Sequence, residues 1–262
     1  MMNIIRADIY AMIRGKGLYI TFALLVLLNY VQISSQGNFG ITLTDEALGV
    51  ETRAVGLDGI RSAMLLYENM SVTMFFLLPL ILLAAAPIFT HGTVKNDISW
   101  GISRTKLYFS KLCISVALCI IMVFFYMSTG MAIATVLNGW GGVAPDGYWL
   151  IVFQTLAAQT LLLIALSCIG VFFVFTFKRT SIVMGAYAAF CFAPGMAIAL
   201  LVDKGFNITR LMDFDLMLGL MRLGYLSQLE TDSVFFLSVA GVFYIIVATT
   251  CGITLFKRAE IK

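Results

Sequence analysis

The sequence predicts an all-α polytopic membrane protein with six transmembrane helices. Hydrophobic residues make up 61% of the 262 residues and charged residues only 12%, whereas soluble domains average roughly 45–50% apolar and 25% charged residues. An apolar helix of about 20 residues crosses a hydrocarbon core about 30 Å thick, and six uncharged segments of about this length follow one another along the chain. The composition therefore argues against a water-soluble fold.

The six predicted spans contain no Asp, Glu, Lys, Arg or His. They are Leu18–Ser34, Val72–Phe89, Leu112–Leu137, Trp149–Phe177, Ser181–Val202 and Val234–Phe256. No small-x-small cleavage site follows the first span, and two amides interrupt its end, so we expect it to stay as a transmembrane helix rather than be removed as a signal peptide. Residues 1–262 are thus predicted to form a single transmembrane domain.

The segments between the spans alternate in charge. The N-terminal segment, the loop after the second span, the turn after the fourth span and the C-terminal tail together hold 12 of the 17 Lys and Arg residues. Only Asp8, Asp97 and Glu260 accompany them, while the other loops are acidic. Since cytoplasmic loops are enriched in Lys and Arg, both termini are predicted to be cytoplasmic. The net charge of +3 reflects this sorting, so nucleic acid is not expected as a partner.

Residues 1–16 are predicted to form an amphipathic helix on the cytoplasmic membrane surface. Ile5, Ile9, Met12 and Ile13 recur at helical spacing on one side of this segment, a pattern typical of a helix that lies in the plane of the membrane. Membrane lipid is therefore one expected partner.

The chain offers no recognisable catalytic machinery. Its one histidine, His91, has no acidic neighbour, and no Gly-x-x-x-x-Gly-Lys-Ser/Thr loop for nucleotide phosphates is present. The cysteines all lie in predicted spans without a Cys-x-x-Cys pair, so we interpret them as small apolar packing residues. We expect no catalytic residue, no metal ligand and no cofactor in this chain. The cysteines are Cys113, Cys119, Cys168, Cys191 and Cys251.

The cytoplasmic loop over residues 91–111 carries the most specific pattern. Apolar side chains alternate here with polar ones up to a break at Gly101, and three basic residues then lead into the third span. Such a segment can present an apolar side chain to a soluble partner, or it can be an ordinary basic loop with Trp100 at the membrane interface. Its properties alone do not decide between these two interpretations.

This loop resembles the first cytoplasmic loop of ABC-2-type transporter permeases, which reads Gly-Thr-x-Lys-Asn, then Gly/Pro-x-Ser-Arg and a later Lys. The matching positions are Gly92, Thr93, Lys95, Asn96, Gly101, Ser103, Arg104 and Lys111. An acidic residue that many members carry just before the Gly-Thr pair is missing. The resemblance implies a coupling segment that contacts a separate ATP-binding subunit, which would bind ATP and Mg²⁺. The implied ATPase-coupling residues are Gly92, Thr93, Lys95, Asn96, Asp97, Ile98, Ser99, Trp100, Gly101, Ile102, Ser103, Arg104 and Thr105.

The same resemblance implies an ABC-2, type V exporter-like fold that works as a homodimer or as a heterodimer with a similar permease. The fifth span carries small residues four apart, which allow another helix to approach closely, and we favour a second permease over a helix of the same chain. These residues are Ser181, Gly185, Ala189, Ala193 and Ala197. The external loop over residues 203–233 is predicted to contain gate or re-entrant helices.

We therefore expect the membrane subunit of a bacterial exporter in the cytoplasmic membrane, with a peptide such as a toxin or an antimicrobial as substrate. Lipid-linked and drug substrates stay open. Two alternatives also stay open, a scaffold that transports nothing and a gradient-driven transporter or channel that needs no ATPase. The candidate pathway residues for transport are Asn29, Gln32, Gln154 and Gln159.

Overall fold

The computed structural model describes residues 2–35, 58–90, 92–142, 144, 147–203, 214–224 and 231–258. Every regular element within these ranges is helical. Five helices are long and apolar enough to cross a membrane, and a bent pair of shorter helices adds a sixth if its halves are counted as one span. The prediction of an all-α polytopic membrane protein is confirmed at this level.

The chain begins with two helices that meet at Gly15. Helix α1 (Met2–Arg14) precedes α2 (Lys16–Ser34), the first candidate span. Ile5 and Met12 pack against the core of the bundle, whereas Ile9 and Ile13 are exposed. The side of α1 that carries these four residues therefore contacts the bundle in part, and the described residues leave the rest of that side exposed.

The helical region that contains the second predicted span starts well before Val72. Helix α3 (Gly59–Glu68), a 3-10 turn (Met70–Val72) and helix α4 (Thr73–Ala85) form a pair bent by 57°. Asp58 caps α3, because its carboxylate accepts a hydrogen bond of 2.8 Å from the Arg61 amide. The sequence predicts an external loop over residues 59–71, because only one face of α3 is apolar. The bent pair also contains an ionisable residue, Glu68, which the predicted span did not.

The predicted loop over residues 91–111 is largely helical. After the break at Ala86 come α5 (Pro87–Thr90), α6 (Thr93–Ser99) and α7 (Arg104–Asn138), the longest helix of the described ranges. The N-cap of α7 is Ser103, whose hydroxyl accepts a hydrogen bond of 3.4 Å from the Lys106 amide. Residues 104–111 are therefore helical and continuous with the third candidate span, while His91 lies outside the described residues.

Helix α8 (Tyr148–Phe177) occupies the centre of the bundle. In its most apolar stretch 61% of the residues are buried, against 17% in α9 (Thr180–Asp203) and 22% in α11 (Thr231–Arg258). A helix that is apolar all round is expected in such an interior position. Gly170 allows α4 to approach, because a Cβ atom there would lie 2.6 Å from Ile81 Cδ1. The described residues leave much of α9 and α11 uncovered.

Part of the predicted external region is a short helix. Helix α10 (Leu216–Leu223) packs against α8, α9 and α11, with Leu216, Leu220 and Leu223 buried. Asp215 caps it, accepting hydrogen bonds of 2.8 and 3.1 Å from the amides of Met217 and Leu218. The stretches 204–213 and 225–230 lie outside the described residues, and the predicted gate role is not decided by this arrangement.

The basic segments meet at one end of the bundle. Arg104 donates a hydrogen bond of 2.8 Å to the Lys257 carbonyl, and Lys111 pairs with Asp8. Gly17 and Thr180 both line one groove. These contacts bring the starts of α2, α7 and α9 together with the end of α11, as the sorting of charges along the sequence requires. We call this part of the molecule the basic end.

Candidate functional site

Two glycines in left-handed conformations define helix α6. Gly92 (φ 65°) is its N-cap residue, and Gly101 (φ 80°) follows its C-cap residue. A side chain at either position would meet nothing within 4 Å, so space does not require glycine there. Backbone conformation does, because left-handed geometry is unfavourable for residues that carry a Cβ atom. The glycines thus set the direction in which α6 leaves the bundle and returns to it.

One side of α6 is held against the bundle and the other is exposed. Val94 is buried and Ile98 packs against the core, while the Thr93 hydroxyl donates a hydrogen bond of 3.4 Å to the Ile88 carbonyl. Asn96 and Trp100 are exposed, and Trp100 has 85% of its surface accessible. The exposed indole is free to contact either the membrane interface or a soluble partner. The side chains of Lys95 and Asp97 lie outside the described part of α6.

Arg104, the first residue of α7, reaches the last turn of α11. Its guanidinium donates hydrogen bonds to the carbonyls of Phe256, at 3.2 Å, and Lys257, at 2.8 Å. The last carbonyls of a helix have no partner within the helix and carry partial negative charge, so a cation is stabilising there. The resemblance implies that Arg104 takes part in contact with a soluble partner, and within this chain its guanidinium joins α7 to α11.

Two further residues on the same face of α7 continue this connection. The Tyr108 hydroxyl donates to the Ala248 carbonyl of α11 at 3.4 Å, and its ring lies edge-on to Phe175 of α8, with centroids 4.9 Å apart. Lys111 is buried and its ammonium lies 2.7 Å from the carboxylate of Asp8 in α1. The spacing of four and then three residues puts all three side chains on one helical face.

We call Arg104, Tyr108 and Lys111 the α7 junction. It connects the segment after α6 with three helices, α1, α8 and α11, within the first two turns of α7. Sequence reasoning noted Arg104 and Lys111 but missed Tyr108 and Asp8. A usable signal existed, because Asp8 is the single acidic residue of α1 and Tyr108 lies four residues after Arg104. Nothing in the sequence indicated which helices they join.

The remaining predicted coupling residues surround this connection. Gly101, Ser99 and Ser103 are exposed, whereas Thr105 is half-buried and Ile102 packs against the core. The predicted segment is therefore mixed, with an exposed part on α6 and a part from Ile102 onward that contacts its own bundle.

The candidate pathway residues do not form one group. Asn29 and Gln32 are buried on α2 and face α7: Asn29 donates to the Tyr126 carbonyl at 2.9 Å and to the Thr129 hydroxyl at 2.7 Å, and Tyr126 donates to the Gln32 side-chain oxygen at 2.9 Å. These bonds connect two transmembrane helices. Asn29 Oδ1 and Gln32 Nε2 are buried without a hydrogen-bond partner among the described residues.

The two glutamines of α8 differ from each other. Gln159 is buried and donates a hydrogen bond of 2.7 Å to the Tyr67 carbonyl, near the bend between α3 and α4. Gln154 lies on the exposed side of the same helix. Of the four residues, only Asn29 and Gln32 share an interface, and a role in a transport pathway stays a prediction for all of them.

The small residues of α9 form an uncovered strip. All five predicted packing residues are exposed in the single chain, and a Cβ atom added at Gly185 would meet nothing within 4 Å. No helix of the described chain therefore lies along this strip. The five are Ser181, Gly185, Ala189, Ala193 and Ala197.

Comparison of the chain with protein-family models and with curated proteins finds no match.

Proposed function

We propose that this chain is the membrane permease subunit of an ATP-driven exporter of the ABC-2 type. The observation that carries the proposal is α6, a short helix fixed by Gly92 and Gly101, buried at Val94 and exposed at Trp100. In this proposal, α6 at the basic end contacts a separate ATP-binding subunit on the cytoplasmic side. The resemblance of residues 92–111 to the loop of such permeases supports this assignment.

The α7 junction supplies a physical route from such a contact into the membrane. Movement of α6 reaches α7 three residues beyond Gly101, at Arg104, which is bonded to the last turn of α11. Tyr108 and Lys111 extend the connection to α8 and α1. Because packed helices shift as rigid elements, displacement of α6 would move these helices together. ATP hydrolysis, with Mg²⁺, would take place on the partner subunit.

We further propose that two permeases meet along the exposed small residues of α9. Such residues let helix backbones approach closely, and van der Waals packing drives helix association in a bilayer where the hydrophobic effect does not. If the transport path lies between the two copies, the hydrogen bonds between α2 and α7 stay intact within each copy. A peptide or another amphipathic molecule fits this proposal best, following the resemblance of the loop.

The decisive experiment isolates the tagged protein from its native membrane in mild detergent and identifies bound proteins by mass spectrometry and ATPase assay. Trp100→Ala removes the exposed indole of the α6 region. Trp140→Ala is the matched control, since Trp140 is also exposed, at 53%, but follows the opposite end of α7. Arg104 is unsuitable as a contact probe because its side chain is bonded to α11.

We expect a P-loop ATPase to accompany the wild-type protein and the Trp140 variant, and to be lost from the Trp100 variant. An ATPase retained equally by both variants would move the contact away from α6. Intact protein isolated without any ATPase would contradict the exporter and favour a gradient-driven carrier or channel.

The dimer is tested by cross-linking in membranes. Ala189→Cys, in a background with the exposed Cys113 and Cys251 replaced by alanine, should form a disulfide between two copies on mild oxidation. Val239→Cys, on the exposed side of α11, is the control. Equal cross-linking at both positions, or none at Ala189→Cys, would contradict an interface on α9.

A further inference from the structure

An open groove of about 430 Å³ lies between α2, α4, α5 and the start of α9. Apolar atoms form most of its surface, with Leu83 and Pro87 on one wall and the hydroxyl-bearing Thr21, Thr90 and Thr180 around them. The groove is at the basic end and does not include any residue of the α7 junction.

The local sequence explains why the groove exists. Helix α4 ends at Ala85, and Pro87 starts a new short helix, so the chain is interrupted at Ala86 where small side chains face the groove. The hydroxyls of Thr21 and Thr90 donate to the carbonyls of Gly17 and Ala86, at 2.9 and 3.1 Å. Their hydrogen atoms are thus used inside the helices, and the groove walls offer few donors to a polar ligand.

Three basic residues adjacent in sequence to lining residues mark what we call the mouth of the groove. Lys16 directly precedes the lining residue Gly17, and the pair Lys178 and Arg179 directly precedes Thr180. All three basic side chains are exposed. Of the carboxylates in the described ranges, none lies within 4.0 Å of them, since the ion pairs found there are Arg61 with Asp58 and Lys111 with Asp8. Lys178 has a left-handed backbone (φ 58°) that turns the chain sharply between α8 and α9.

We propose that this groove is a binding site for an anionic glycerophospholipid of the leaflet at the basic end. An acyl chain would lie against the apolar walls, and the phosphate group would be held by Lys16 and the Lys178–Arg179 turn. Basic pockets between transmembrane helices are suited to anionic headgroups, and the apolar walls distinguish a lipid from a free phosphate ion. The proposal does not depend on transport or on an ATPase.

The test is native mass spectrometry of the purified full-length protein in mixed micelles, with phosphatidylglycerol or with phosphatidylcholine of identical chains. One variant neutralises the mouth of the groove, with Lys16, Lys178 and Arg179 all changed to glutamine. The control neutralises Lys106, Lys257 and Arg258, three exposed cations that do not flank the groove. A third variant, Leu83→Trp, fills the groove, and a thermal melt verifies that each variant is folded.

We expect phosphatidylglycerol to be retained in preference to phosphatidylcholine, with retention about fivefold weaker for each cation removed from the mouth. The control triple variant should bind as the wild type does, and Leu83→Trp should weaken both lipids. Equal loss in the two triple variants would show a diffuse attraction and overturn the site. Displacement of phosphatidylglycerol by inorganic phosphate, or no preference between the lipids, would overturn it as well.

Discussion

The ammonium of Lys111 and the carboxylate of Asp8 lie 2.7 Å apart, and this ion pair connects the first helix of the chain to the longest one. The Lys111 side chain is only 5% accessible, whereas that of Asp8 is 23% accessible. Removing the carboxylate alone would leave a buried cation without its counter-charge, and that is more costly than removing both charges.

Asp8→Asn should therefore lower the free energy of unfolding by about 1–3 kcal/mol, because the ammonium stays buried. The double variant Asp8→Asn with Lys111→Met should recover most of that loss. Thermal unfolding in detergent, compared over the full double-mutant cycle, measures both effects. Losses that simply add in the double variant would mean that the two side chains do not interact.

Arg104→Gln should fray the last turn of α11. The substitution removes the guanidinium that donates hydrogen bonds to the terminal carbonyls of Phe256 and Lys257. We expect the helix end to lose about 1 kcal/mol of stabilisation. Amide hydrogen exchange over 250–258 should rise severalfold, while exchange in the centre of α11 stays constant. Lys106→Gln, an exposed cation two residues away, is the control. Unchanged exchange in the Arg104 variant would contradict the capping role.

Gly92→Ala and Gly101→Ala should each destabilise the α6 region by about 1–2 kcal/mol, because both glycines have positive φ. Gly142→Ala is the matched control, since a Cβ atom there also meets nothing within 4 Å and its backbone is not left-handed. Limited proteolysis between α5 and α7 reports the local effect. If all three variants are cleaved alike, conformational strain at these glycines is not what fixes α6.

Asn29→Ala should loosen the contact between α2 and α7. Its side chain donates to the Tyr126 carbonyl and to the Thr129 hydroxyl, and a hydrogen bond between transmembrane helices contributes on average about 0.6 kcal/mol. A double-mutant cycle with Thr129→Val isolates the hydrogen bond between Asn29 and Thr129. The stability of each variant is measured by steric trapping or by thermal melts in detergent. Zero coupling in this cycle would show that the bond adds nothing to stability.

The docking of α10 should weaken as the pH rises. Burial raises the pKa of the Asp215 carboxyl above its ordinary value of 3.8, although two backbone amides oppose the shift. A carboxyl group whose pKa is higher in the folded state than in the unfolded state stabilises the folded state when it is protonated. This stabilisation is complete at a pH below the ordinary pKa and is lost as the pH rises through the raised pKa. Amide exchange over 216–223, corrected for its intrinsic pH dependence, should therefore increase with pH.

Asp215→Asn keeps an oxygen that can accept from the amides of Met217 and Leu218 but removes the charge. It should abolish this pH dependence and strengthen docking. Asp58→Asn, at the equivalent cap of α3, should leave the pH dependence of α10 intact. A pH dependence that survives in Asp215→Asn would assign it to another group.

Long, uniformly apolar segments were the part of the fold that sequence could predict. Helix α8 begins at Tyr148 against a predicted Trp149, and both end at Phe177, because its burial requires apolar side chains on every face. Helix α3 was missed because one polar face lowers its average hydropathy. The contact of Arg104 with α11 joins residues that are 152 positions apart in the sequence. Its acceptors are backbone carbonyls, which every residue has, so no residue pattern could predict it.

The 35 residues of α7 give a continuous rod about 52 Å long at 1.5 Å per residue, longer than the roughly 40–45 Å of a bilayer with its headgroups. Such a rod acts as a lever. A tilt of about 5° around its midpoint would displace each tip by about 2 Å in opposite directions. At the far tip the Gly139 carbonyl accepts a hydrogen bond from the Gly59 amide, at 3.0 Å. In the proposed coupling, such a tilt beside α6 would also displace the start of α3, which is bonded to this tip, by a similar distance.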